Sequence, residues 1–220
     1  RPGMSGGVVA VRKELAGWEL YWVELVVLGE EAESQSAALL AEAEARLSAQ
    51  VRLESLAEQA AVAAMRRLFK AAGCDPGRYR PSSEALARRV LKGESLPAIH
   101  PLVAINNALS IELLVPSCVM AAGTVKPPLA LRAGRAGEVL DSMRGPLDLE
   151  GKPLLADAEG PFGTPITDSH RVKIQPGTDR GLLVAYLPAG VVSEEVAAAT
   201  LGRLLERVPA VKAQPPGDLA

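Results

Sequence analysis

From Glu30 to Ala72 the chain runs without a single glycine or proline, whereas beyond Pro116 it never goes a dozen residues without one. That asymmetry constrains the fold more than any single motif. The first stretch is rich in Ala, Leu, Glu and Arg, all good helix formers. Leu40, Ala43, Leu47 and Val51 fall at helical spacing, as do Leu56, Ala60, Ala64 and Leu68. Gly73 is placed to cap the end. The later half offers short β-prone runs, "PPLALRAGRAGE", "GKPLLADAEGP", "RVKIQPGTD" and "RGLLVAYLPAG", divided by Gly, Pro and Asp turns. Helices, then strands, then a closing helix predict an α+β fold rather than a repeating βαβ chain.

Upstream, "VVAVRKELAGWELYWVELVVLG" mixes β-branched and aromatic residues and predicts one or two strands. "RPSSEALARRVLKG" predicts a compact helix with Ser82 as cap, Glu84 in the first turn and Gly93 at the end. "HPLVAINNALSIELL" predicts a helix beginning at Pro101, the favoured first position, with Leu102, Ile105, Leu109 and Leu113 on one face. "VSEEVAAATLGRLLERV" predicts a last amphipathic helix capped by Ser193. The expected organisation is core strands over 1–29, a helical arm over 30–73, a core over 74–208 and a flexible tail over 209–220. "RPG" before Met4 reads as a vector remnant.

Composition closes several routes. A net charge of −2 argues against a general nucleic-acid coat, whose affinity comes from Lys and Arg neutralising phosphates. Two cysteines, Cys74 and Cys118, make neither a disulfide framework nor a cysteine-rich zinc site. His100 and His170 lack partners at metal-ligand spacing, so no metal or cofactor is expected. With no basic-then-apolar leader and no run approaching the roughly 20 apolar residues of a membrane span, the expected compartment is the cytoplasm.

Three polar features stand out. In "LLADAEGPFGTPITDSHRVKI", Asp157, Glu159, Thr164, Asp168 and Ser169 sit in a loop between apolar runs. Such a loop builds a site or merely satisfies turn backbone through Asx-type caps. Ser169 and His170 are adjacent, so in a strand they point to opposite faces and make a poor serine triad. Asn106 and Asn107 interrupt an apolar helix although Asn is a weak helix former. Their side chains point about 100° apart, so at least one amide is expected to pin a neighbouring loop. The basic run Arg66, Arg67, Lys70, Arg78, Arg80, Arg88, Arg89 and Lys92 suits a phosphate backbone or a solvated helix face.

The order "RPSSEALARRVLKGESLPAIHPLVAINNALSIELLVP", "LALRAGRAGE", "LLADAEGPFGTPITDSHRV" and "LLVAYLP" resembles the editing domain of the phenylalanyl-tRNA synthetase beta subunit, its tRNA-binding B-three/four module, in free-standing form. The resemblance runs roughly from Tyr79 to Pro188. It implies packed mixed sheets with helices on one side. It also implies hydrolysis of the ester on a wrongly charged tRNA, here in trans. Where the family helix reads like "NxLVDxxN", this chain has His100, Ala104 and Asn107, keeping only the last amide. Where the family has "PxHAFD", this chain has "VPSCVMAAG", which places Cys118 or Ser117 at the histidine. Arg132, Gly137 and Glu138 keep an "R…GE" pattern.

On that resemblance, the 3′ adenosine of a tRNA acceptor end docks in a pocket and a water is held by Glu159 or Asp157. Backbone amides of "EGPFGT", with Thr164, face the developing oxyanion. Arg132 holds the terminal phosphate or pairs with Glu138, while Asn107, Cys118, Asp168 and Ser169 line the substrate. The alternatives are a non-catalytic tRNA- or amino-acid-binding module that keeps the fold, and a hydrolase of small amino-acid esters. Neither membrane nor DNA is an expected partner, and the helical arm suits a tRNA clamp or a dimer contact.

Overall fold

The strand β2, Trp18–Val27, is buried on both faces, which explains why its sequence is apolar almost throughout. A computed structural model describes residues 9–219, so "RPG" and Met4 lie outside the described residues. β2 pairs antiparallel with β9 (Arg180–Pro188) from Trp18↔Pro188 to Val26↔Arg180. β9 in turn pairs with β3 (Ser117–Ala121) and β2 with β10 (Val211–Gln214), giving a sheet of order β10-β2-β9-β3. A second sheet has the order β1-β4-β7-β8, from β1 (Val11–Lys13), β4 (Leu129–Ala133), β7 (Pro153–Asp157) and β8 (Gly160–Gly163). The hairpin β5 (Val139–Ser142) and β6 (Gly145–Asp148) stands apart from both.

Period-2 alternation along β2 divides the core. Trp18, Leu20 and Trp22 face the second sheet and meet Leu131, Leu155 and Phe162. Tyr21, Val23 and Leu25 face helices. These are α1 (Glu31–Gln50), α4 (Pro101–Leu113) and α5 (Glu194–Leu205), which bury Leu39 and Leu40, Ile105 and Leu109, and Leu201 and Leu204 respectively. α2 (Ala60–Ala72) contributes Val62 to the helical core and Met65 and Phe69 to the inter-sheet core. α3 (Ser82–Leu91) packs near α1 and α4, with Ala87 and Val90 buried. The chain is one α+β domain, as the element order predicts. No described helix is long and apolar enough to cross a membrane.

Several local expectations hold. Pro101 is first in α4, and the cap, not anticipated, is His100, whose Nδ1 accepts the Leu102 N–H at 3.1 Å. Ser193 caps α5 by accepting from Val196 N, and Gly73 ends α2 with φ +93°. Others change. Residues 30–73 form two helices split by a 3-10 turn at Leu53–Glu58, and α1 buries a full apolar face against the core rather than standing out as an arm. Ser82 is the first residue of α3 and not its side-chain cap; its N–H donates to Pro165 O at 2.8 Å. "RVKIQPGTD" forms no strand: a 3-10 turn at His170–Val172 leads into a loop that buries Val172 and Ile174. The segment expected as a flexible tail carries β10, whose Gln214 side chain donates to Glu24 Oε1 at 3.2 Å.

Candidate functional site

Register places a polar group in the apolar seam between the sheets. Val184 of β9 lies between Trp22 of β2 and Cys118 of β3, all on the seam face. Tyr186, two residues on, shares that face. Asp168 arrives from a turn built by Thr164, whose Oγ1 donates to Thr167 O at 2.7 Å and accepts from Ile166 N and Thr167 N at 3.0 and 2.9 Å. Gly163 and Asp168 bridge across this turn. Ser169 then leaves the seam, its N–H donating to Phe162 O at 3.0 Å and its Oγ accepting from Arg171 N at 3.2 Å.

Three buried polar atoms in this cluster have no protein partner: Asp168 Oδ1, Tyr186 OH and Trp22 Nε1. Such groups are rare because each forgoes its hydrogen bonds to water. Burial pushes Asp168 up to about 7, opposed by its hydrogen bond with the Cys118 thiol. Burial and the neighbouring Asp168 hold the Cys118 thiol well above its ordinary range, and burial does the same to the Tyr186 phenol. At neutral pH the cluster therefore offers a partly protonated carboxyl, a neutral thiol, a phenol and an indole N–H in otherwise apolar surroundings. That set can recognise a small polar group by direct hydrogen bonds.

A cleft of about 400 Å³ opens along the second sheet, lined by Arg12, Arg132, Arg135, residues 128–130 and residues 156–160. Arg132 and Glu138 are joined at two points, 2.7 and 2.8 Å, and Glu138 also accepts from Arg135 N at 2.7 Å. The Arg132 hydrogen bond is the main cause that lowers Glu138 to about 2. Asp157 is fully engaged. It accepts from Lys126 N and Glu159 N at 2.9 Å each and takes Arg171 at 2.9 and 3.0 Å. Despite burial, these bonds lower its pKa. Glu159 is the acid of the cleft that stays exposed, 3.5 Å from Arg171. Gly160 borders the cleft and Gly163 the seam, about 10 Å apart by strand rise.

The residues singled out from sequence thus fall in two places. Cys118 and Asp168 belong to the seam, Thr164 builds the turn that delivers Asp168 to it, and Ser169 lies just outside it. Asp157, Glu159, Arg132 and Glu138 belong to the cleft and its rim. Asn107 belongs to neither: on α4, its Oδ1 accepts from Asn106 Nδ2 at 3.4 Å. Asn106 Nδ2 also donates to Ser117 O at 3.3 Å, and Ser117 Oγ to Asn106 O at 3.2 Å, so this amide pins β3 to α4. His100 Nε2 lies 3.0 Å from Thr178 O. Trp22, Tyr186, Arg12 and Arg135 were not anticipated. In sequence, Trp22 and Tyr186 look like ordinary core aromatics, and only the fold leaves their polar atoms unpaired. Among the described residues no group of three His, Cys, Asp or Glu is arranged to hold a metal ion.

The profile of the B3/4 domain family matches residues 64–200. No curated protein matches. Among solved structures, the chain is similar to an N-terminal fragment of the phenylalanyl-tRNA synthetase beta subunit from Pyrococcus horikoshii, with 15% identity and a TM-score of 0.47. That match covers 96% of this chain and 51% of the fragment, so the chain spans about half the fragment's length.

Proposed function

The chain belongs to the B3/4 domain family, whose profile covers residues 64–200, and on that premise we propose that it is a trans-acting deacylase of mischarged aminoacyl-tRNA. The observation that carries this reading is the seam cluster, where Asp168 Oδ1, Tyr186 OH and Trp22 Nε1 are buried without partners. A polar amino-acid side chain would satisfy them. A substrate lacking the matching group leaves them unpaired, and that penalty discriminates strongly.

The cleft completes the reading. Arg12 and Arg135 meet the phosphate of the terminal nucleotide, while Arg132, held by Glu138, keeps the floor in place. With both oxygens of Asp157 occupied, Glu159 is the group that takes a proton from water. The water oxygen attacks the ester carbonyl carbon and the bond to the ribose oxygen breaks. The proton passes through Glu159 to that leaving oxygen, freeing the amino acid and restoring the ribose hydroxyl. An aminoacyl ester is already activated, so positioning can supply much of the acceleration.

A second reading, a tRNA- or amino-acid-binding module without chemistry, is favoured by one observation: Glu159 lies on the open cleft while the unpaired polar atoms lie in the closed seam. The test is loss of ester from a panel of correctly and wrongly charged tRNAs. Hydrolysis of one mischarged species supports the deacylase. Binding of the same species with the ester intact supports the module.

A further inference from the structure

Residues 60–92 hold eight Lys and Arg against two acids, Asp75 and Glu84, a net of +6 in a chain whose total is −2. The fold gathers these cations instead of scattering them. Glu84, on the first turn of α3, is almost wholly buried and takes Arg66 of α2, with Arg80 Nε 3.8 Å away. One acid thereby clamps two arginines and joins the two helices. Lys70 stands one helical turn beyond Arg66, and Arg88 one turn beyond Glu84, so both flank the clamp. Beside it, Arg78 and Lys152 lie over the Tyr79 ring, 5.2 and 3.8 Å from its centroid. Among the described residues no carboxylate pairs with Lys70, Arg78 or Arg88, and Lys70 and Arg78 are exposed.

We propose that this α2–α3 face is the docking surface for the phosphate backbone of an RNA. An isolated cation on a helix is ordinarily just solvated. Here Glu84 holds Arg66 and Arg80 while the Tyr79 ring carries Arg78 and Lys152, so the cations of one face are positioned together, a predominantly positive field that phosphates select. The guanidinium majority suits bidentate phosphate contacts. The face also abuts the candidate site: Ser82 N, two residues past Arg80, donates to Pro165 O in the turn that delivers Asp168. A backbone lying on α2–α3 is thus led towards that turn. The choice of RNA among polyanions rests on the deacylase reading; the charge and geometry do not.

The experiment measures binding of uncharged tRNA across a salt series, so it is independent of hydrolysis. The triple variant Lys70→Gln, Arg78→Gln and Arg88→Gln spares the Glu84 clamp. It is compared with a triple of equal charge change on exposed positions elsewhere, Arg52→Gln, Lys173→Gln and Lys212→Gln. The face triple should lose about tenfold in affinity at moderate salt, and its log–log salt slope should flatten by about two, at roughly 0.7–0.9 per phosphate contact. The control triple should change affinity by less than about twofold, within the range expected of surface substitutions. Should the face triple fail to fold, Lys70→Gln alone should flatten the slope by about 0.7. Equal affinity for both triples overturns the inference, as does wild-type protein that binds anionic phospholipid vesicles and not tRNA. Salt-sensitive tRNA binding lost in the face triple, with every ester left intact, keeps this surface and removes the deacylase.

Discussion

Gly163 and Asp168 face each other across the Thr164 turn so closely that a Cβ on Gly163 would stand 3.1 Å from Asp168 Oδ1 and 3.6 Å from Tyr186 OH. Glycine at that point leaves the two polar atoms room beside the strand. Gly163→Ala should therefore crowd a carboxyl whose Oδ1 is buried on the seam side. A loss of about 1 kcal/mol is expected, at the mild end of overpacking, read from denaturant midpoints at constant slope. Unchanged stability would mean that the turn yields more readily than its hydrogen bonds suggest.

Tyr186→Phe should act in opposite directions on stability and function. The phenol oxygen is buried without a partner, so removing it should stabilise the unliganded protein by about 1 kcal/mol. If the seam reads a polar side chain, the same change should weaken discrimination between esters. Thermal melts and paired hydrolysis rates test the two halves separately.

Asp168 gives a pH signature. Its folded pKa of about 7 lies above its ordinary 3.8, so the folded state holds a proton that the unfolded chain releases first. Its contribution is fully present at acid pH, falls as pH rises from about 4 to about 7, and is constant above. Asp168→Asn should remove that decline while leaving the rest of the stability–pH curve in place. The seam neighbours Cys118 and Tyr186 stay neutral throughout this window, since both are raised.

The Arg132–Glu138 pair predicts an opposite trend at lower pH. Glu138 is lowered from 4.5 to about 2, so its stabilisation is present above pH 4.5 and is lost as pH falls towards 2. Glu138→Gln would leave the Arg132 guanidinium, 7% exposed, without its counter-charge. A loss of roughly 2–4 kcal/mol is expected, since orphaning a buried charge costs more than the pair is worth. Chemical denaturation at pH 7 measures it.

Local chemistry was legible in sequence wherever partners lie a few residues apart. Pro101 opening α4, Ser193 capping α5 and Gly73 ending α2 all follow from rules that span one turn. What sequence could not show is which polar groups are already occupied. Asp157 and Glu159 look equivalent in "DAEG", yet Arg171, fourteen residues away, claims Asp157 and leaves Glu159 exposed. The seam draws on Trp22, Cys118, Asp168 and Tyr186, which meet only through long-range strand pairing. The same pairing turned the expected tail into β10, where alternation over four residues is too short a signal against "QPPG".

The most direct test is single-turnover hydrolysis of a mischarged aminoacyl-tRNA by the wild-type protein and by Glu159→Gln, the position exposed on the cleft. The account predicts rapid loss of one mischarged ester and a slowing of at least about tenfold in the variant, with roughly 10²–10⁴-fold the usual scale for a full general base. Esters that survive with the wild-type protein as long as they do in buffer would contradict it.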